Sequence, residues 1–167
     1  MLIILGGLPG TGKTSLARAL AERSGGVHLR IDTIEQTLRN AGAVDRSMDD
    51  VGYRVAYAVA EDNLWLGQTV IADSVNPIAI TREAWRAVAE RTGTTFIEVE
   101  VVCSDADEHR RRVETRTPDI PGLKVPAWKD VLARDYEPWE TADLTIDTAG
   151  RSVEAIAADL VSRLPAA

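Results

Sequence analysis

The clearest chemical pattern in the chain lies near the N-terminus, in the stretch GGLPGTGKTS at 6–15. It fits G-x-x-x-x-G-K-[ST], whose glycines let the backbone curl so that successive N–H groups point at phosphate oxygens. In that pattern the lysine reaches the β- and γ-phosphates of a nucleotide, and the hydroxyl that follows it binds Mg²⁺. The predicted ATP-binding residues are Gly7, Pro9, Gly10, Thr11, Gly12, Lys13, Thr14 and Ser15, with Thr14 also a metal ligand.

The flanks of this loop support the same interpretation. Residues 2–5 are all apolar and predict a buried parallel strand, whereas Leu16, Ala17 and Leu20 recur at helical spacing. A helix that begins at the loop adds the partial positive charge of its N-terminus to the phosphate site. The alternative is an ordinary glycine-rich loop. The predicted strand before the loop and the predicted helix after it argue against this alternative.

Composition limits the class of protein. The chain has 167 residues, 45% of them hydrophobic, which predicts a single domain over 1–167 with a sizeable core. There is no apolar run of membrane-spanning length and no signal-peptide pattern, so we expect a cytoplasmic protein without a membrane partner. A net charge of −7 argues against a large nucleic-acid surface. The lone Cys103 excludes an internal disulfide and is expected to be buried.

Apolar strand-like runs alternate with helical patterns along the chain, which predicts a parallel α/β sheet. A helix is expected across 49–67. Trp85 and Val88 predict the inner face of another helix, with Arg82 and Arg86 outside, and Ser152 is a plausible N-cap of the last one. The predicted strands are 2–6, 27–31, 69–73, 95–102 and 144–147.

Two carboxylates fall at predicted strand ends. In open α/β sheets the ligand lies beyond the carboxyl ends of the strands, so Asp32 and Asp73 should face the phosphate loop. One acid can accept the proton of an attacking hydroxyl, and the other can hold Mg²⁺. We assign the first role to Asp32 and the second to Asp73. A helix N-cap is the alternative for each.

The rest of the pattern favours transfer of the phosphoryl group to an acceptor. Asp73 is followed by Ser74, and not by the glutamate that motor ATPases use to activate water. The chain also lacks an N-K-x-D stretch of the kind that reads guanine in GTPases.

An arginine-rich stretch, SDADEHRRRVETR at 104–116, contains two candidates for the transferred phosphate. Arg112 and Arg116 are four residues apart and would share a helix face, where guanidinium groups match phosphoryl oxygens. A solvated helix with Glu108 supporting Arg112 is the alternative. The prolines and glycine of 117–126 exclude a regular helix there, and that segment is either a lid or a plain connector.

These segments together resemble the P-loop kinase group that includes polynucleotide 5′-hydroxyl kinases, chloramphenicol phosphotransferase and zeta-type toxins. GGLPGTGKTSLARAL is similar to their phosphate loop, LRIDTIEQTL to the segment with the general base, and RRRVETR to their lid. The resemblance implies a P-loop NTPase/kinase fold, with a five-stranded parallel sheet in the order 2-3-1-4-5, helices on both faces and a short lid at approximately 110–126. It also implies Asp32 as the base, and Arg112 and Arg116 as lid arginines that act with Lys13.

Two further segments extend the resemblance to most of the chain. LTIDTAG at 144–150 is similar to the last strand and the loop that borders adenine. VIADSVNPIAITREAW is similar to a D-x-T-N-type segment of polynucleotide kinases, but Asp73 and Asn76 have a different spacing, so Asn76 has no assigned role. Trp128, Tyr136 and Trp139 could stack on an acceptor, although core packing is the more common role.

We therefore expect an ATP- and Mg²⁺-dependent kinase that acts on a hydroxyl of a small molecule. A polynucleotide 5′-hydroxyl kinase and a nucleotide-binding protein without turnover are the alternatives. Three acids in 45–50 should disfavour a second polyanion in the acceptor cleft. Arg30 and Arg39 flank Asp32 and could bind one acceptor anion, or could pair with Glu35 or another acid.

Overall fold

The computed structural model describes residues 1–43 and 50–164, so most of the acidic stretch 45–50 lies outside the described residues. Five parallel strands form one sheet in the order β2-β3-β1-β4-β5, which confirms the predicted fold class and strand order. The strands are β1 (Leu2–Gly6), β2 (Val27–Arg30), β3 (Val70–Asp73), β4 (Phe96–Val102) and β5 (Leu144–Asp147).

Helices cover both faces of this sheet because its central strand is apolar on both sides. Leu2 and Ile4 of β1 pack into one core, and Ile3 and Leu5 pack into the other. The described helices are α1 (Lys13–Ser24), α2 (Ile31–Asn40), α3 (Val51–Trp65), α4 (Ala79–Thr92), α5 (Ala106–Thr115), α6 (Trp128–Leu132) and α7 (Val153–Arg163). None of the helices in the described part of the chain is long and apolar enough to cross a membrane.

Several local predictions agree with the structure. The Ser152 hydroxyl caps α7 by accepting from the backbone N–H of Ala155 at 3.2 Å. Cys103 is buried. The segment 117–126 contains neither helix nor strand, as its prolines predict. The cap and the irregular segment depend on nearby residues alone, which is why the sequence was sufficient to predict them.

The predicted outer position of Arg82 was wrong. Arg82 is 3% exposed and donates to the backbone carbonyls of Asn76, Pro77, Glu137 and Pro138. Helical spacing alone placed this residue in solvent, but the segment before β5 folds back over α4 and supplies carbonyl partners for the guanidinium.

Arg86 was likewise expected in solvent, but it is half-buried. Its guanidinium pairs with the buried carboxylate of Glu98 at 3.0 Å. Two neighbouring side chains also donate to Glu98, the Thr141 hydroxyl at 3.0 Å and the Trp139 indole at 3.3 Å. The outer face of α4 is therefore a second interface, and it holds the segment before β5.

Replacing Arg82 with methionine should destabilise the fold, because four carbonyls would lose a charged donor. We expect Arg82→Met to lower the free energy of unfolding by on the order of 2–4 kcal/mol in urea denaturation. Arg91→Met is the matched control on the same helix. Because Arg91 pairs with Glu61 at the surface, this variant should change stability by less than about 1 kcal/mol. Equal losses in the two variants would contradict this assignment.

Candidate functional site

The phosphate loop joins β1 to α1, and its shape requires glycine. Gly7 has φ +135°, and a Cβ there would lie 2.1 Å from the carbonyl oxygen of Val101. Gly12, the N-cap of α1, has φ +97°. These left-handed conformations turn the chain back on itself just before α1. The free N–H groups of the first helical turn then face the same space as the loop.

Lys13 is 7% exposed, and its Nζ donates to the carbonyl of Leu8 at 2.8 Å. Burial lowers the pKa of Lys13 to about 8, against the opposing charges of Asp73 and Asp32. The positive charges of Arg116 and Arg134 lower it further. All four of these charged groups therefore lie close enough to act on a phosphate bound at Lys13.

Asp73 ends β3 and is 4% exposed. Burial alone would raise the pKa of this carboxyl, but a hydrogen bond from His28, the charge of Lys13 and the hydroxyl of Thr14 together hold it below its usual value. An ionised carboxylate beside a hydroxyl supplies the oxygen ligands that Mg²⁺ prefers. Thr14 and Asp73 thus fit the predicted metal site. No larger cluster of metal-binding side chains occurs among residues 1–43 and 50–164.

Asp32 lies in the first turn of α2, because β2 ends at Arg30, one residue earlier than the sequence predicted. Its side chain is 46% exposed, and its nearest ion-pair partner is Arg30, with Nη2 3.6 Å from Oδ2. The N-cap position of α2 belongs to Arg30, so Asp32 is not a cap. This half-exposed carboxylate lines the same cleft as Lys13.

Arg112 is held in place by its neighbours. One nitrogen donates to the Thr148 hydroxyl at 2.8 Å, and the other donates to the Thr148 carbonyl at 3.0 Å and to Glu108 at 2.5 Å. The Thr148 hydroxyl in turn donates to the carbonyl of Thr11 at 2.9 Å. Arg112 therefore fastens the loop after β5 to the phosphate loop. The predicted shared helix face was also wrong, because α5 ends at 115 and Arg116 follows it with extended backbone.

Arg116 and Arg134 are the better placed arginines for a transferred phosphate. Both line the cleft, and both act electrostatically on Lys13. Within the ranges that the structure describes, neither guanidinium has a carboxylate at salt-bridge distance. Arg134 was not predicted from the sequence as a site residue.

Arg30 does not line the cleft, and the structure shows the pairing alternative. Its side chain is 5% exposed, and Nη1 donates to Asp119 at 2.9 Å. Arg18 of α1 also donates to Asp119, and these hydrogen bonds hold the pKa of that carboxyl well below its usual value. The segment 117–126 is thereby anchored to both β2 and α1.

Arg39 does line the cleft, but it pairs with Glu35 one turn away at 3.0 Å. Glu35 itself packs against Gly52 of α3, where a Cβ would lie 2.3 Å from the Glu35 side chain. Asp32, Glu35 and Tyr53 line the cleft together with Arg39.

The residues without an assigned role have packing roles. Asn76 is fully buried with φ +47°, and its amide donates to the Leu5 carbonyl at 2.8 Å. Trp139 is 6% exposed and lies against Gly6. Tyr136 stacks under Arg82, and Trp128 meets the ring of His109 edge-on.

Lys13, the two candidate acids and three arginines line one cleft of about 800 Å³ at the carboxyl ends of the strands, namely Lys13, Asp32, Asp73, Arg112, Arg116 and Arg134. Gly7 and Thr11 are buried behind it and shape the loop. Thr148 and Arg151, after β5, line the end that the resemblance assigns to adenine. The predicted residues that line the cleft are Pro9, Gly10, Gly12, Lys13, Thr14, Ser15, Asp32, Arg39, Asp73, Arg112 and Arg116.

Comparison with known families agrees with this geometry. Residues 2–134 match the family described as AAA domain, AAA_33. The chain belongs to this family. It is thus a P-loop protein with the nucleotide-binding arrangement described above. A search of curated proteins finds no match to the sequence.

Solved structures share the fold at low sequence identity. A candidate kinase from Chloroflexus aurantiacus is 24% identical with a TM-score of 0.73, over 98% of both chains. The Mycobacterium tuberculosis APS kinase CysC, solved with AMPPNP and APS, is 22% identical with a TM-score of 0.68, over 96% of this chain and 95% of that one. Kti12 from Chaetomium thermophilum, solved with ADP-AlF3, is 21% identical with a TM-score of 0.69, over 99% and 100%. These likenesses show the fold.

The lowered pKa of Lys13 predicts that ATP affinity depends on pH. A phosphate at this site favours the charged lysine, so above pH 8 the free protein must take up a proton to bind. The dissociation constant should rise by up to about tenfold per pH unit above that point. Calorimetry at pH 8.5, in buffers of different ionisation enthalpy, measures this proton uptake.

Lys13→Ala is the control for that titration. It should bind ATP about ten- to a hundredfold more weakly at pH 7, and the lysine-dependent proton uptake should be absent. Unchanged affinity, or the same proton uptake as in the wild type, would contradict the assignment.

Proposed function

We propose that this protein is an ATP- and Mg²⁺-dependent kinase that transfers the γ-phosphate to a hydroxyl of a small-molecule acceptor. The observation that carries the proposal is the position of Asp32. Its half-exposed carboxylate lines the same cleft as Lys13, and its negative charge favours the protonated form of that lysine. A protein that only binds nucleotide has no need of a base beside the γ-phosphate.

The chemistry follows from these positions. The acceptor oxygen attacks the γ-phosphorus, the bond to the β–γ bridging oxygen breaks, and the acceptor proton passes to the carboxylate of Asp32. Lys13, Arg116 and Arg134 stabilise the charge that develops on the phosphoryl oxygens. Thr14 and Asp73 would hold Mg²⁺, which neutralises phosphate charge when it is bound.

The charges on the acceptor side support a small acceptor over a nucleic-acid end. Of the two arginines predicted to bind an acceptor anion, Arg30 pairs with Asp119 and Arg39 pairs with Glu35. A polynucleotide needs several cations along its path, and its binding weakens steeply with salt. The relative named APS kinase, solved with APS, is consistent with an acceptor of small size.

A screen for acceptor-dependent ADP formation tests the proposal. Neutral polyols, compounds with one anionic group, and 5′-hydroxyl oligonucleotides of increasing length are each incubated with MgATP at two salt concentrations. We expect a small hydroxyl compound to stimulate ADP formation, and Asp32→Asn to lower this turnover roughly 10²–10⁴-fold with MgATP affinity almost unchanged.

Asp62→Asn is the matched control, because Asp62 is an exposed carboxylate on α3. Its turnover should equal that of the wild type. Labelling that improves with oligonucleotide length and collapses with salt would support a polynucleotide kinase instead. Normal turnover in folded Asp32→Asn would show that Asp32 is not the base.

Alanine substitutions of the three cleft arginines should affect different kinetic parameters. Arg116→Ala and Arg134→Ala should each lower kcat by roughly 10²–10³-fold, because each removes charge stabilisation from the transition state. Arg112→Ala should mainly raise KM for ATP, because Arg112 holds the loop after β5. Steady-state kinetics with the acceptor from the screen measures this, and a larger kcat loss in Arg112→Ala than in the other two would reverse the assignment.

A further inference from the structure

His28 contacts the candidate metal ligand Asp73 from the neighbouring strand. Neither the phosphate loop pattern nor the fold explains this contact. It lies on β2, next to β3 in the sheet, and its Nε2 is 3.0 Å from Oδ2 of Asp73. The His28 side chain is 19% exposed, whereas that of Asp73 is 4% exposed. The contact is therefore shielded from most of the solvent.

The direction of this hydrogen bond follows from the charge of Asp73. The neighbouring donors keep the carboxyl ionised, and an ionised carboxylate only accepts hydrogen bonds. His28 must therefore carry a proton on Nε2 and donate it to Oδ2. A donor this close fixes the plane of the carboxylate, which otherwise rotates about its last side-chain bond.

A second residue of β2 approaches the same oxygen. Arg30 is two residues further along the strand, on the same face, and its Nε is 4.0 Å from Oδ2 of Asp73. Both contacts from β2 are thus made to Oδ2. Oδ1 takes part in neither contact.

We propose that His28 is a positioning residue for the Mg²⁺ site, which holds the Asp73 carboxylate so that one oxygen stays turned toward the phosphate loop. The inference rests on the proposed function, because it takes Thr14 and Asp73 as the residues that hold Mg²⁺. Groups that orient a metal ligand typically change metal affinity by about 10- to 100-fold when they are removed.

A purely structural role makes a different prediction. If His28 only compensates for burying the charge of Asp73, its loss should lower the melting temperature. It should then affect ATP binding equally with and without metal. The ratio of these two affinities therefore separates positioning from stability.

The experiment measures ATP binding by calorimetry, with excess Mg²⁺ and with EDTA, on ligand-free protein of known melting temperature. The metal enhancement is the dissociation constant in EDTA divided by that in Mg²⁺. His28→Ala should reduce this enhancement by about tenfold and change the EDTA value by less than about twofold. His28→Gln should restore most of the enhancement, because its amide can donate to Oδ2 in place of the ring.

Asp73→Asn supplies the epistasis control. It should lose the enhancement by itself, and adding His28→Ala to it should cause no further loss, since both changes act on one carboxylate. An enhancement in His28→Ala equal to that of the wild type would overturn the inference, as would a failure of His28→Gln to restore it. A wild type that shows no enhancement would instead overturn the Mg²⁺ part of the proposed function.

Discussion

The buried negative charge of Asp73 is the constraint on which the rest of the site depends. An isolated carboxylate is costly to bury, so its surroundings must supply cations and donors. These come from separate elements: Lys13 and Thr14 from the start of α1, and His28 from β2. Satisfying one charge therefore fixes the phosphate loop, the second strand and the third strand relative to one another.

A balance of opposite charges then divides the cleft into two parts. Asp32 and Asp119 lie beside Arg30, and Arg18 is a second cation that pairs with Asp119. Arg116 and Arg134 have no such partner in the described parts of the chain. Attraction for a polyanion is therefore concentrated at the lysine end of the cleft, although the protein as a whole carries a charge of −7.

The sequence was sufficient for the sheet and the phosphate loop, because apolar runs and glycine spacing are local signals. It was insufficient wherever a side chain finds its partner far along the chain. Arg30 meets a carboxylate 89 residues later, and Arg82 meets carbonyls 55 and 56 residues later. Arg134 and His28 matter because folding brings them to the cleft and to Asp73, and no spacing rule connects them to the loop.

The anchoring of the segment 117–126 to α1 has a mechanical consequence. Arg18, which holds Asp119, follows Thr14 by four residues, so one helical turn separates the tether from the phosphate loop. A single helical turn is rigid over the distance between these two residues. The tethered segment and the phosphate loop are therefore coupled through the first turn of α1, while Arg30 ties the same carboxylate to β2.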